Sequence, residues 1–281
     1  MAGPEIEVLE TFSGILRFKG FNLEKLKQGM MNASGNINAE QVDLLWAASS
    51  KADVDSLIES CSLGPSSWIV DIACGRGRHV LEFLKRGYHN VVGVDVNGNQ
   101  TLQAKASADK LSLNTNLIRG DYYSLPLQPH FDFAYTMISA YSSFFVSGQQ
   151  EIKMRARIGE ISRILVPNGK FAADFMDLSK LKSSYEEYAE LVEPNVWESV
   201  NDSDNGNKTT TRRLDLNSRI ELTTMRWMQD GQNVELETER RIKTLDEQVE
   251  FLRSVGLKVV GTVTPRVQLS DDRSIIIATR F

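Results

Sequence analysis

The sequence predicts an α/β fold in which a largely parallel sheet carries helices on both faces and a small antiparallel sheet is inserted. Three observations predict it. Short apolar runs alternate with helical segments from residue 68 to residue 177. A glycine-containing segment follows the first of these runs. Beyond residue 177 the alternation stops, and strand patterns follow one another across hairpin-type turns.

Within residues 68–177, five apolar runs predict strands, and the segments between them predict helices. The strands are 68–73, 90–96, 115–121, 131–137 and 170–176, and the helices are 80–87, 99–111 and 151–165. Alternation of this kind implies parallel strands joined by crossover helices. We expect Pro167–Gly169 to end the helix before the fifth strand begins.

The segment 195–243 predicts antiparallel strands, because its strand-like runs are joined by turns rich in Asn, Asp, Ser and Gly. A helix ending at Gly256 and two closing strands, 258–263 and 274–280, follow it. The N-terminal segment 1–65 is interpreted as helical, with Asn38 and Gln41 as a capping box. The predicted division is a helical cap (1–65), a ligand-binding core (66–177), an inserted β element (178–243) and a return to the core (244–281).

Composition narrows the function. The 281 residues carry a formal net charge of -5, which disfavours a general nucleic-acid partner. Cys61 and Cys74 are too few for a disulfide framework and lack metal-site spacing, so we expect no metal site and a reducing, cytoplasmic location. The first residues lack a signal-peptide pattern, and no apolar stretch approaches the ~20 residues of a membrane span, so we expect no membrane partner.

The most informative motif is Asp-Ile-Ala-Cys-Gly-Arg-Gly, which starts at Asp71 between a predicted strand and a predicted helix. Glycines at such a crossing let the backbone approach a ligand closely. A dinucleotide-binding loop would want a small residue at position 80, where Val80 stands. Asp71 would also repel a pyrophosphate and suit a cationic group.

Two further acids end the next two predicted strands. Asp95 ends the second strand, where a carboxylate accepts hydrogen bonds from ribose hydroxyls, a role shared with NAD enzymes. Asp121 ends the third. Any one of these acids is equally well explained as a turn or helix-cap residue, but three acids at three successive strand ends favour a nucleoside-binding site.

These motifs resemble those of the class I S-adenosylmethionine-dependent methyltransferases. The resemblance rests on Asp-x-x-Cys-Gly-x-Gly-Arg-His, Gly-Tyr-x-x-Val-x-Gly-Val-Asp, Arg-Gly-Asp-x-x-x-Leu-Pro, Phe-Asp-x-Ala and Ile-Leu-x-Pro-x-Gly-Lys-Phe, and it covers residues ~68–177. It is strongest to the small-molecule group with an antiparallel insertion before the last helix. Arg76 between the glycines and Asn168 in the later turn depart from the family pattern.

The resemblance implies a Rossmann-like, seven-stranded methyltransferase sheet with one reversed strand, and S-adenosylmethionine as the cofactor. The expected cofactor-binding residues are Asp71, Ala73, Gly75, Gly77, Asp95, Asp121, Tyr122 and Met137. Ala73 and Tyr122 are expected to make main-chain contacts. Asp71 would face the amino group, Asp95 the ribose and Asp121 the adenine amino group.

The substrate is expected beyond the fourth and fifth strands, where Tyr141 and Asp174 are candidates to orient or deprotonate a nucleophile. Core packing for Tyr141 and a structural hydrogen bond for Asp174 are the competing interpretations. His130 is interpreted as a loop residue. The inserted strands are interpreted as a cover for the pocket, a homodimer interface or both, and packing of the insert's own small core is the competing interpretation for their apolar residues.

The resulting hypothesis is methyl transfer to nitrogen or oxygen of a small molecule. Tyr135-Thr-Met-Ile stands where a nucleic-acid methyltransferase would carry Asn/Asp-Pro-Pro-Tyr/Phe. Two other functions stay open at this point: an NAD-dependent oxidoreductase on a related fold, and a module that binds S-adenosylmethionine without catalysing a reaction.

Overall fold

The structure is a computed structural model that describes residues 6–11, 14–19, 39–137, 150–176, 178–203, 208–229, 232–264 and 273–281. Its strands are β1 (Ile6–Thr11), β2 (Gly14–Lys19), β3 (Ile69–Ile72), β4 (Val91–Asp95), β5 (Asn116–Arg119), β6 (Phe131–Thr136), β7 (Leu165–Met176), β8 (Glu190–Glu193), β9 (Val196–Ser203), β10 (Lys208–Asp215), β11 (Ile220–Gln229), β12 (Gln232–Arg241), β13 (Leu257–Val263) and β14 (Arg273–Arg280). Its helices are α1 (Ala39–Cys61), α2 (Arg78–Lys85), α3 (Gly98–Lys110), α4 (Gln150–Ile164), α5 (Leu178–Tyr188) and α6 (Leu245–Ser254).

Seven strands form the central sheet in the order β13-β14-β7-β6-β3-β4-β5. β14 is antiparallel to both of its neighbours, and the other pairs are parallel. The expected seven-stranded sheet with one reversed strand is therefore confirmed. From β3 the chain moves outward to β4 and β5, then returns to place β6 on the other side of β3. Ligands of open α/β sheets bind at the carboxyl ends of strands beside such a reversal.

Helices cover both faces of this sheet, as the alternating pattern predicted. On one face, α1 and α2 contribute Val54, Leu57, Val80 and Phe83, all 0% exposed, to a core that includes Phe133. On the other face, α4 and α6 contribute apolar side chains at helical spacing. These are Met154, Ile158, Ile161, Phe251 and Leu252. Burial on both faces explains why the strand sequences are continuously apolar rather than alternating.

Local sequence sets the helix ends next to the sheet. Asn97 caps α3 by accepting a hydrogen bond from the Asn99 N–H at 3.0 Å. Thr244 and Glu247 form a reciprocal capping box at the start of α6. Such caps satisfy N–H groups that have no partner within the helix.

The inserted element is an antiparallel sheet of five strands in the order β12-β11-β10-β9-β8. The sequence predicted its last four strands; β8 and helix α5 were not predicted. One face packs on α5 through Leu181, Tyr185 and Leu214. On that face the Tyr185 hydroxyl donates to the buried Glu221 carboxylate at 2.7 Å. The other face carries exposed ion pairs such as Arg226–Glu235.

The helical interpretation of segment 1–65 is wrong at its start. β1 and β2 pair antiparallel, with Leu9 opposite Leu16 and Thr11 opposite Gly14. The reason is that apolar and charged residues alternate with period two at 6–8 and at 16–19, and that Ile6 and Val8 are β-branched, a pattern that favours strands. The helix predicted further along this segment is confirmed as α1. Residues 20–38, including Asn38 of the predicted capping box, lie outside the described residues.

A second correction concerns Pro167–Gly169, which was expected to separate the fourth helix from a strand beginning at residue 170. β7 instead begins at Leu165, directly after α4, and runs through this turn-like segment. Asn168 has a positive φ of 62°, which Asn tolerates better than most residues. Among the described residues, no helix is long and apolar enough to span a membrane.

Gly93 in β4 leads to a testable prediction about this packing. A Cβ at this position would lie 2.8 Å from Leu117 Cδ2 and 2.9 Å from Cys74 Sγ. We expect Gly93→Ala to lower the free energy of unfolding by about 1–3 kcal/mol, the usual cost of overpacking a filled core. Urea denaturation measures the change. The control is Gly159→Ala in α4, where a Cβ meets nothing within 4 Å; equal losses in both variants would contradict the packing argument.

Candidate active site

The segment between β3 and α2 has a backbone built for close approach. Ala73, Gly75 and Gly77 have positive φ angles of 61°, 54° and 68°. Gly77 is the residue immediately before α2, and a Cβ on it would lie 3.0 Å from Ala104 Cβ. The left-handed backbone at positions 75 and 77 and the contact with α3 explain why glycines occupy this loop.

Asp95 ties this loop to the neighbouring strand. Its Oδ2 accepts a hydrogen bond from the Gly75 N–H and its Oδ1 one from the Asn97 N–H, both at 2.8 Å. The Cys74 N–H also donates to the Val94 carbonyl at 3.0 Å. Asp95 is only 9% exposed, yet each oxygen of a carboxylate has a second acceptor site. The carboxylate therefore fixes the loop and can still accept hydrogen bonds from hydroxyl groups.

Asp121 lies at the same edge of the sheet, beyond β5, and is exposed. Its Oδ1 accepts the Tyr123 N–H at 3.0 Å, and the preceding Gly120 N–H donates to the Asp95 carbonyl at 3.0 Å. Tyr122 is half-buried beside it, and burial raises the pKa of its hydroxyl. The ends of β4 and β5 are thus held together, with two carboxylates along one edge.

Asp71 differs from the other two acids because it is buried, with 2% of its surface exposed. It is the in-register neighbour of Tyr135 on β6. Burial raises the pKa of Asp71 well above its usual range, and the Tyr135 hydroxyl and the Arg78 guanidinium offset part of that rise. Its Oδ2 has no hydrogen-bond partner among the described residues. A buried acceptor of this kind suits a cationic or hydrogen-bond-donating ligand group.

Met137 and Asp174 extend this edge past β6 and β7. Met137 follows the last residue of β6, and Asp174 follows Ala173, which pairs with Thr136. Both are buried, at 4% exposure. In the register of the sheet, Ala172 is the neighbour of Tyr135, and Tyr135 is the neighbour of Asp71, so all three lie on one face. Asp174 is two residues beyond Ala172 in the same strand and therefore lies on that face too.

All eight residues expected to bind the cofactor lie at or just beyond the carboxyl ends of β3, β4, β5 and β6. Asp174, one of the two candidate catalytic residues, lies at the same edge on β7. Tyr141, the other candidate, lies outside the described residues. His130 lies in the loop before β6, where its ring packs against Phe131 and Trp68, in agreement with its interpretation as a loop residue.

Sequence reasoning missed two groups beside this edge. His79, at the start of α2, bonds through Nε2 to the fully buried Asp53 carboxylate of α1 at 3.1 Å. Arg157 of α4 lies 4.3 Å from the ring centroids of both Tyr122 and Tyr123. Neither contact has a signature in local spacing, because each joins two elements that lie far apart in the sequence.

A shallow pocket lies elsewhere, between α5 and the start of α6. Its lining shares no residue with the carboxyl edge and consists of Leu178, Ser179, Lys182, Leu216, Thr244 and Leu245. The edge described above is therefore the better candidate for the chemistry, since it combines a ligand-binding backbone with converging acids.

Comparison with known proteins identifies this region. Residues 69–169, which contain the glycine loop, Asp95 and Asp121, match the family model described as a methyltransferase domain. This part of the chain, about a third of its length, is therefore similar to a methyltransferase domain. No curated protein matches the sequence.

Solved structures match the chain over most of its length. An S-adenosylmethionine-dependent methyltransferase from Clostridium acetobutylicum has a TM-score of 0.60 at 15% identity, with 92% of this chain and 97% of that chain covered. An amino pentose methyltransferase from Micromonospora echinaspora has 0.55 at 19%, covering 84% and 92%. A sugar N-methyltransferase from a Streptoalloteichus species has 0.55 at 12%, covering 100% and 98%. At these identities the likeness establishes the shared fold.

S-adenosylmethionine is the cofactor named for two of these similar structures, and the residues at the carboxyl edge of this sheet fit it. The left-handed loop leaves room for close approach, the Asp95 carboxylate keeps acceptor capacity toward hydroxyls, and Asp71 Oδ2 is a buried acceptor without a partner among the described residues. A cationic amino group and a ribose are the groups that such a set of acceptors selects.

Asp71 leads to a prediction about pH. Folding raises the pKa of Asp71 above the value of about 4 at which an aspartate ionises in the unfolded chain. The free energy of unfolding therefore falls as the pH rises from about 4 to the raised pKa of the folded state. We expect the Asp71→Asn variant to have a higher melting temperature than the natural protein at neutral pH. The rise should be about 2–4 °C for each kcal/mol by which the variant avoids the cost of ionising a buried carboxyl group. The advantage should shrink toward pH 4.

Thermal melts of the ligand-free protein across this pH range measure the effect. Asp109→Asn, which removes the carboxylate of an exposed aspartate on α3, is the matched control for the substitution itself. A melting temperature that is lowered by Asp71→Asn at every pH would show that the carboxylate is stabilising and would contradict the prediction.

Proposed function

We propose that this protein transfers a methyl group from S-adenosylmethionine to a nitrogen or oxygen atom of a small molecule. The observation that carries the proposal is the edge formed by a left-handed glycine loop with Asp95 bound to it at 2.8 Å and Asp121 at the next strand end. Two carboxylates at adjacent strand ends support a site that takes a ribose and a base along one stretch of sheet edge.

Each acid has a distinct role in the proposal. Asp95 accepts hydrogen bonds from the ribose hydroxyls, and Asp121 accepts from the adenine amino group. Asp71 compensates the charge of the cofactor's amino group from beneath the loop. Gly75 and Gly77 let the backbone approach the cofactor closely.

Three other residues complete the proposed cofactor site. The main-chain groups of Ala73 and Tyr122 contact the cofactor at its two ends, and Met137 lines the site beyond β6. A polarizable, flexible thioether suits a pocket wall that must fit an irregular ligand.

The proposed reaction is an in-line displacement at the methyl carbon, for which the protein supplies alignment and exclusion of water. The cofactor supplies an activated sulfonium leaving group. An amine nucleophile needs only to be neutral, whereas a hydroxyl gains from a base nearby. Asp174, buried at the carboxyl edge on the same face as Asp71, is the candidate to orient the nucleophile or accept its proton. Tyr141 is the second candidate.

The small-molecule class is supported by charge and by the structural neighbours. The formal net charge of -5 disfavours a polyanionic substrate. Two of the similar structures are named as an amino pentose methyltransferase and a sugar N-methyltransferase, and another as a glycopeptide N-methyltransferase. We infer from these a substrate with an amine or hydroxyl on a compact, polar scaffold.

The proposal assigns the cofactor to residues 66–177 and 244–281, and a covering role to residues 178–243. The order of the elements supports the covering role. Helix α5 follows β7, which carries Asp174 near its end, and the inserted sheet packs on α5. A cover attached at this point would exclude water from the sulfonium. The segment 1–65, whose described part is the hairpin β1–β2 and helix α1, is proposed to close the cofactor side.

Asp95 provides the first test of the proposed function. We expect S-adenosylhomocysteine to raise the melting temperature of the natural protein, with ~2.7 kcal/mol of stabilisation at 100 times its dissociation constant. Asp95→Asn should bind at least about tenfold more weakly, since a charge-assisted hydrogen bond is worth about 1.5–3 kcal/mol. Differential scanning fluorimetry with S-adenosylhomocysteine and with NAD, side by side, measures both.

The control is Asp132→Asn. Asp132 also accepts a backbone N–H, that of Trp68 at 2.8 Å, but it lies on β6 away from the carboxyl edge. The melting temperature of each ligand-free variant separates lost binding from lost stability. A shift with NAD alone would move the protein to the oxidoreductases.

Asp174 provides a test of the catalytic step. In a screen of small amines and hydroxyl compounds with S-adenosylmethionine, we expect Asp174→Asn to lower kcat by about 10²–10⁴-fold if the substrate is a hydroxyl, the usual contribution of a general base. For an amine the loss should be smaller and fall mainly on KM. Binding of S-adenosylhomocysteine, measured by calorimetry, should be unchanged. Unaltered kcat and KM on every accepted substrate would remove Asp174 from the site.

A further inference from the structure

Helix α4 holds the segment after β5 through three side chains at i, i+3 and i+6. These are Arg157, Glu160 and Arg163, and all three contact residues between 122 and 127. Residues with this spacing share one side of a helix. An adjacent side of the helix carries the core residues Met154, Ile158 and Ile161, so α4 is also held to the sheet by apolar packing.

Arg157 contacts two aromatic rings at once. Its guanidinium carbon lies 4.3 Å from the centroid of the Tyr122 ring and 4.3 Å from that of Tyr123, within the range of cation–π attraction. It also donates to the Tyr123 hydroxyl through Nη2. The two rings are tilted at 51° with centroids 5.4 Å apart, and the guanidinium fixes both.

The other two residues fix the backbone that follows. Glu160 Oε2 accepts the Leu125 N–H at 3.0 Å, and Arg163 donates to the Leu125 and Leu127 carbonyls at 3.1 and 3.0 Å. Glu160 and Arg163 bind each other through two hydrogen bonds of 2.9 Å. Arg163 lowers the pKa of the Glu160 carboxyl, which keeps this acceptor ionised.

We propose that Arg157 is a positioning residue for adenine recognition. The chain of contacts runs from the guanidinium to Tyr123, and from the Tyr123 N–H to Asp121 Oδ1 at 3.0 Å. It therefore orients the Asp121 carboxylate and the main chain of Tyr122, the groups proposed to contact the base. This inference rests on the proposed use of S-adenosylmethionine and adds the residue that sets base selectivity.

The arrangement separates this role from general stability. α4 is anchored by Met154, Ile158 and Ile161, each no more than 1% exposed, without help from Arg157. Glu160 and Arg163 still hold residues 125–127 when Arg157 is replaced. Loss of the guanidinium should therefore loosen the two tyrosines and Asp121 while leaving the fold in place.

The experiment compares Arg157→Met with Arg155→Met in the full chain. Arg155 is an exposed arginine two positions earlier on α4 that also lies over an aromatic ring, that of Phe251 at 5.5 Å, and donates to the Ser254 hydroxyl. It is a matched control, because it loses the same charge and the same type of contact away from Asp121. The ligands are S-adenosylhomocysteine and its 6-oxo counterpart, S-inosylhomocysteine, which lacks the amino donor.

Calorimetry should show about tenfold weaker binding of S-adenosylhomocysteine to Arg157→Met, because binding must then order the loosened tyrosines and Asp121. In Arg157→Met, the preference for the adenine compound over the 6-oxo compound should also shrink. In Arg155→Met, both the affinity for S-adenosylhomocysteine and this preference should stay within about twofold of the natural protein. Arg157→Lys, which keeps a charge over the rings, should recover part of the preference.

Three outcomes would overturn the inference, and they are distinguishable. If the natural protein binds neither ligand, the proposed function fails and the inference fails with it. If the natural protein binds and Arg157→Met binds equally well with the same base preference, only the role of Arg157 is wrong. If both ligands weaken by the same factor together with a lower melting temperature of the ligand-free variant, Arg157 is structural rather than positioning.

Discussion

The candidate site depends on one carboxylate that accepts two backbone N–H groups. Asp95 binds the Gly75 and Asn97 amides, and in doing so joins the loop after β3 to the turn after β4. A loop with positive φ angles at three alternate positions has little intrinsic reason to adopt one shape. An anionic acceptor with hydrogen bonds of 2.8 Å supplies that reason, because charge-assisted bonds are about twice as strong as neutral ones. The groups expected to hold the cofactor are consequently arranged before any ligand arrives.

Beneath this loop the protein tolerates an unfavourable arrangement of buried polar groups. A row of four polar side chains lies on the α1 side of the sheet. Asp53 bonds to His79, and the His79 ring packs edge-on against Tyr135. Tyr135 in turn is the in-register neighbour of Asp71. Burial raises the pKa of Tyr135 as well as that of Asp71, so the interior disfavours the charged form of both. Strongly perturbed groups of this kind concentrate where a protein binds or reacts with a ligand. Such sites commonly trade stability for function.

The core could be predicted from sequence because its inner strands, such as β3 and β4, are buried on both faces and therefore leave continuous apolar runs. The three acids were found for the same reason: strand ends are visible, and parallel strands bring their carboxyl ends to one edge. The hairpin β1–β2 was missed because its period-two pattern covers only two short strands, too little to outweigh the helical signal that follows. Helix α5 was missed because its apolar residues, including Leu181 and Tyr185, pack against the inserted sheet, and the sequence does not show where that sheet lies.

Long-range partnerships were beyond sequence reasoning for a physical reason. Arg157 and the two tyrosines belong to different elements of the chain, and the stacking depends on how α4 packs rather than on any local spacing. The contact between Asp53 and His79 likewise joins α1 to a residue just beyond the glycine loop. The single clue that spacing offered was Glu160 and Arg163, three positions apart on one helix and therefore able to pair.

The position of β14 has a consequence for how the chain reaches this state. β14 lies between β7 and β13, so residues 273–280 are inserted between strands that are made earlier. During synthesis from the N-terminal end, β7 therefore waits with an open edge while the inserted sheet, α6 and β13 emerge. Its apolar residues, among them Ala172, Ala173 and Phe175, stay accessible to other chains for that interval. The inserted sheet pairs only strands that are neighbours in the sequence and can fold during the wait, whereas the central sheet is completed only when β14 has emerged.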